Sequence, residues 1–180
     1  MSGLLFDQEE DDLSPPERYY GKYRAIVLNN VDPLLQGRIQ VIVPDVSDFL
    51  PTTWAMPCVP IGWKQMGFLS VPPVTSEVWI EFEQGNPDKP IWTGCFWGNP
   101  LDVPKMALTT PPPAPGIFIQ LLNNSIVINN AGIFLQSSPV LGTPGISITP
   151  AGIILQDGAG GMITIAGGVV TINQGALLIK

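Results

Sequence analysis

The strand-like stretch Glu77-Val-Trp-Ile-Glu-Phe-Glu83 sets three carboxylates, Glu77, Glu81 and Glu83, on one face of an extended chain. Same-face neighbours on a strand stand about 7 Å apart, a separation that some glycosidases use for their two carboxyl groups. The chain contains no histidine, which removes the commonest general base and the commonest metal ligand together. Nothing else supplies an acid–base environment, and a solvated strand face accounts for the three glutamates. Trp54, Trp63, Trp79, Trp92 and Trp97, with Phe68, Phe82 and Phe96, could form a platform on which single-stranded bases stack. Only five Lys or Arg accompany them in residues 20–100, so burial in a barrel, or packing against neighbouring subunits, is the better account. Asp157-Gly-Ala-Gly-Gly161 has the glycines of a calcium-binding repeat but one carboxylate where several are needed; it reads as a turn. Cys58 and Cys95 are too few and too far apart for a disulfide scaffold or a zinc site, and are expected as buried thiols of a protein made in a reducing cytoplasm. No phosphate-binding glycine loop is present. No catalytic, cofactor-binding or metal-ligating residue is assigned, and no cofactor.

The charge is low and unevenly placed. Charged residues make up 13% of the 180, about half the usual fraction. The net charge is −7. Residues 1–19 hold Asp7, Glu9, Glu10, Asp11, Asp12 and Glu17 against Arg18. From Gly116 to Lys180 the only ionisable side chains are Asp157 and Lys180. This balance lacks the basic footprint of a nucleic-acid binder. No leading segment resembles a secretory signal, and no apolar run reaches the ~20 residues that span a bilayer.

The elements that hold these residues are all extended. Tyr20-Gly-Lys-Tyr-Arg-Ala-Ile-Val-Leu28 opens a first set of strands. Gly37–Pro44 alternates Arg38 and Gln40 with Ile39, Val41 and Val43, and Trp54–Val59 is a third candidate. In Glu77–Glu83 the apolar Val78, Ile80 and Phe82 oppose the glutamates and Trp79, and Ile91–Trp97 closes the set. Five or six short strands with Gly/Pro turns in residues 20–100 fit a small closed barrel. Residues 101–115 carry Pro104, Pro111, Pro112, Pro113 and Pro115, too dense a run for helix or central strand, and are expected as a stiff spacer. Residues 116–180 repeat a unit of two β-branched strands around a glycine turn: Ser125–Gln136, Gly145–Gln156, Gly161–Asn173. No such unit buries its apolar face alone, so the segment requires stacked copies or identical partner chains.

The order and spacing of Tyr20–Val27 with Asp32-Pro33, Gly37–Pro44, Trp54-Ala-Met-Pro57, Gly67-Phe68 with Pro72-Pro73, and Val78–Gly85 leading through Pro90 to Gly94 resemble the OB-fold domain of phage baseplate spike proteins. That family comprises the baseplate assembly protein V of contractile-tailed phages and the related spikes of type VI secretion and other contractile injection systems. The resemblance implies an OB barrel followed by a trimeric, intertwined β-helix that tapers to a membrane-piercing tip. It covers most of residues 20–180. Two family features are missing: residues 101–115 leave no room for the lysozyme domain of some members, and without histidine there is no His-x-His iron site. The tip is then either apolar and self-sufficient or covered by a separate tip protein.

The expected protein is therefore all-β: an acidic N-terminal arm (1–19), an OB-fold domain (20–100), a proline-rich linker (101–115) and an intertwined trimeric β-helix, or β-prism, shaft (116–180). Its expected function is that of a structural central spike, not an enzyme. Three copies pack through Ile126, Ile128, Ile133, Leu135, Ile146, Ile148, Ile153, Leu155, Ile163 and Ile165, giving a shaft on the order of 40 Å long. The barrels dock on a baseplate hub, and the uncharged shaft passes a target cell envelope at reduced desolvation cost. The protein resides in a phage tail or injection particle after synthesis in the bacterial cytoplasm, with no nucleic-acid partner. Two other classes compete: an envelope-degrading enzyme on a β-solenoid, which needs convergent acids or a histidine, and an OB-fold single-strand-binding module, which needs basic charge.

Overall fold

The computed structural model describes residues 17–108, 116–137 and 143–179. Most of the acidic arm, the end of the proline-rich stretch and the C-terminal Lys180 lie outside these. The chain divides into two compact units on either side of Gly98 and Asn99.

The first unit is a small curled sheet whose strands follow the period-two pattern. They are β1 (Tyr23–Asn29), β2 (Gln40–Ile42), β3 (Met56–Pro57), β6 (Glu77–Phe82) and β7 (Pro90–Cys95), in the order β2-β1-β6-β7-β3. A separate hairpin, β4 (Gly62–Trp63) with β5 (Met66–Gly67), sits between β3 and β6. The alternating residues turn inward: Ile39, Val41, Val43, Val78 and Ile80 are fully buried, with Ala25, Val27, Ala55, Phe82 and Trp92 beside them. Closure comes from residues far apart in sequence. Ile39 and Ala55 exchange backbone hydrogen bonds at 3.2 and 2.7 Å, joining the β2 side to the β3 side, while β3 runs parallel to β7. The pairing of Trp79 with Gly94 and of Ile80 with Trp92 leaves Thr93 as a bulge, which increases the local twist.

Two helical turns were not expected. Pro44–Ser47 makes one turn after β2, started by Pro44, a residue that suits the first position of a helix. Lys105–Leu108 makes another. The proline-rich stretch is thus not extended throughout, because residues 105–108 contain no proline and follow Pro104.

The second unit is an eight-stranded antiparallel meander: β8 (Gly116–Leu121), β9 (Asn124–Asn129), β10 (Gly132–Gln136), β11 (Gly145–Thr149), β12 (Gly152–Gln156), β13 (Met162–Ala166), β14 (Val169–Ile172) and β15 (Leu177–Ile179), in chain order. The recurring glycines have a steric cause. A Cβ on Gly132 would collide with the Ile148 carbonyl oxygen, and one on Gly152 with that of Ile165, so each glycine lets the next strand close in. Between β13 and β14 the turn is Gly167-Gly168, both with positive φ, the geometry that matches a two-residue hairpin to the twist of its strands.

Candidate assembly surface

Side chains alternate across a strand, so the register of a sheet decides which residues share a face. In the second unit Ile126 lies opposite Leu135, Leu135 opposite Ile146, Ile146 opposite Leu155, and Leu155 opposite Ile163. Alongside runs a second row: Ile128 to Ile133, to Ile148, to Ile153, to Ile165. The ten residues picked from the sequence thus lie in two adjacent rows on one face. The rows continue to residues the sequence reading left out. Ile119 pairs with Ile126 and Ile117 with Ile128; Ile172 pairs with Ile163 and Val170 with Ile165. The alternation Ile117-Phe118-Ile119 carries the same signal and could have added two of them.

This face is uncovered in the single chain. Nine of the ten side chains are 37–43% exposed, with Ile153 half-buried. Their flanks touch cross-strand neighbours and their outer surfaces meet water. Covering that remainder stabilises by roughly 1 kcal/mol per side chain, on the order of 10 kcal/mol for the ten. A shallow groove runs past Ile146, Leu155, Ile163 and Ile172, with Asp157 and Asn173 at its edge.

The opposite face is mixed. Phe118, Val127, Phe134, Ser147, Ile154, Thr164 and Thr171 form its row. Val127 and Ser125 are buried there, and Gln156 Nε2 donates to Thr143 O at 2.8 Å. Ser125 Oγ and Gln136 Oε1 are buried without a hydrogen-bond partner.

The other residues with chemical potential do not converge. Glu81 pairs with Lys22 at 2.9 Å, and Lys22 Nζ also donates to Thr93 Oγ1 at 2.9 Å. Glu83 does not share the strand face as expected: β6 ends at Phe82, and Glu83 opens a 3-10 turn in which Gln84 has φ +53°. Among the described residues no group of three or more His, Cys, Asp or Glu could hold a metal. Asp157 Oδ1 accepts from Ala159 N at 2.7 Å and Gly161 N at 2.9 Å, which draws its pKa below the usual carboxylate range and fixes the turn.

The aromatics scatter as well. Trp92 is buried and donates to Gly37 O at 3.0 Å. The Arg24 guanidinium lies over Trp79 and Phe96, whose rings meet each other, whereas Trp63 and Trp97 stand exposed in the single chain. Cys58 and Cys95, expected inside, are exposed and unpaired in this chain. Both lie at strand ends, Cys58 just after β3 and Cys95 last in β7, where the inward alternation has run out.

One polar pair escaped the sequence reading. Asp32 is 4% exposed at its side chain and meets Arg38 Nη2 at 2.6 Å. It also accepts from Arg38 Nε and from the backbone N–H groups of Leu34, Gln36 and Arg38. Arg38 stacks over Trp54. The guanidinium and these backbone donors hold the Asp32 carboxyl well below the usual range. This carboxylate organises the loop between β1 and β2.

Two family models match the chain in series. Residues 23–97 match the injector OB domain of type VI secretion systems and phage baseplates. Residues 116–178 match the C-terminal trimerisation domain of phage baseplate V. No match was found among curated proteins.

Proposed function

Since the chain belongs to the phage baseplate V spike family, we propose that it is the central spike of a contractile tail or injection-system baseplate. The observation that carries this reading is the pair of isoleucine rows: a whole sheet face, apolar from β8 to β14, uncovered in the single chain and lying inside the segment that matches a trimerisation domain. In the proposed trimer three such faces meet on the axis, with Ile126, Ile128, Ile133, Leu135, Ile146, Ile148, Ile153, Leu155, Ile163 and Ile165 in the interior. Burying them removes a large exposed apolar surface, an aggregation hazard for a lone chain. The three sheets wind about that axis as a β-helix, each strand keeping the partners of its own chain.

The remaining parts follow from charge and position. The barrel docks on the baseplate hub, and the acidic arm extends onto it. The shaft, with Asp157 its only ionisable group before Lys180, is driven through the target envelope when the sheath contracts, either bare or beneath a separate tip protein. Low charge reduces the cost of desolvation during that passage. The protein acts mechanically, without a cofactor. The test is fractionation of intact contractile particles. The chain should copurify with baseplates and cross-link to a hub protein through residues 17–98. Recovery of the chain solely as a free cytoplasmic protein would contradict the reading.

A further inference from the structure

Residues 61–68 form an apolar hairpin that leaves its largest side chains in solvent. β4 and β5 pair through Gly62 with Gly67 and Trp63 with Met66, and Phe68 N donates to Ile61 O at 3.1 Å. Ile61, Trp63, Met66 and Phe68 are all more than half exposed, Trp63 at 74%. The only charge on the hairpin is Lys64, in its turn. An isolated two-stranded hairpin is marginally stable in water, so this one needs a cover.

A second uncovered apolar spot lies on another connection of the same barrel, between β2 and β3. The helical turn Pro44–Ser47 ends at Asp48, and Phe49 and Leu50 follow, 86% and 71% exposed. Asp45 and Asp48 stand beside them, both exposed. The two features are complementary in charge and polarity: an apolar ridge with a lysine at its tip, and an apolar knob flanked by carboxylates. A three-fold ring requires such a pair, because each subunit must offer its neighbours two different surfaces.

We propose that the hairpin of one copy seats on Phe49 and Leu50 of the next, with Lys64 meeting Asp45 or Asp48, so that the three barrels close into a ring; this rests on the trimer reading above. The occupant is a second copy of this chain. Residues 99–115 tether each barrel to the trimerisation segment, which sets neighbouring barrels at an effective concentration in the millimolar range. A contact too weak to hold free barrels together is sufficient there.

Treating the full-length assembled protein with a carbodiimide tests the contact, because this reagent joins an amine to a carboxylate only where they touch. The expected result is covalent dimers and trimers after boiling in detergent, containing a peptide that links Lys64 to Asp45 or Asp48. Lys64→Gln should lose this ladder while still sedimenting as a trimer, and Phe49→Ser should lose it too. A trimer that yields no Lys64 linkage, or a ladder unchanged in Lys64→Gln, overturns the proposal and leaves the hairpin for a different protein. A monomer in sedimentation overturns the trimer reading itself, and with it this contact.

Discussion

The Asp32 carboxylate accepts hydrogen bonds from three backbone N–H groups and two nitrogens of Arg38, all while buried. Its role in the loop is therefore structural, and it carries a pH signature. A carboxyl whose folded pKa lies below its ordinary value of 3.8 stabilises the fold above that value and loses the contribution as pH falls further. Asp32→Asn leaves the Arg38 guanidinium poorly paired. It should lower the melting temperature of the barrel at neutral pH by about 5 °C or more and flatten the loss of stability below pH ~4, both readable by thermal melts across pH. At Ile148 the issue is assembly. Ile148→Asp would bring three carboxylates together in an apolar interior, each costing several kcal/mol unless neutralised, and should abolish the oligomer in sedimentation. A folded trimer of that variant would mean that Ile148 points outward. Glu81→Gln should be nearly silent, changing stability by about 0.5 kcal/mol or less, since it breaks a single exposed pair with Lys22. Loss of infectivity or of an enzymatic activity with assembly intact would restore the enzyme alternative.

At the scale of elements, the strands were legible because alternation is a local property. Ile39, Val41 and Val43, or Val78, Ile80 and Phe82, declare their inward face in the sequence and occupy it in the structure. The isoleucines of the second sheet fall on one face for the same reason, and glycines such as Gly132 and Gly152 let the next strand close in. What the sequence concealed depends on particular partners and not on a period. The Ile39–Ala55 closure, the parallel β3–β7 contact and the Asp32–Arg38 pair have no periodic signature. The hairpin at Gly62–Gly67 has strands of two residues each, too short for alternation to mark it. Glu83 was misplaced because a left-handed Gln84 ends the strand, and glutamine gives no warning of that. If the barrel holds its own core, truncation after Pro115 should leave a soluble folded fragment that self-associates far more weakly than the whole chain. Circular dichroism and sedimentation of residues 1–115 check this, and an unfolded fragment would mean that the barrel depends on the shaft.

For the whole molecule, an exposed apolar face and a trimerisation-domain match describe one requirement from two sides. A sheet with almost no charge and two rows of uncovered isoleucines does not remain a monomer in water. Three apolar faces packed on one axis must separate together, so dissociation is expected to be slow. The assembled species should survive detergent at room temperature and fall to single chains only on boiling. Sedimentation equilibrium of the full-length protein at micromolar concentration tests the central claim most directly. The account predicts a single species near 58 kDa, three times the 19.4 kDa of one chain, and a stable 19.4 kDa monomer would contradict it.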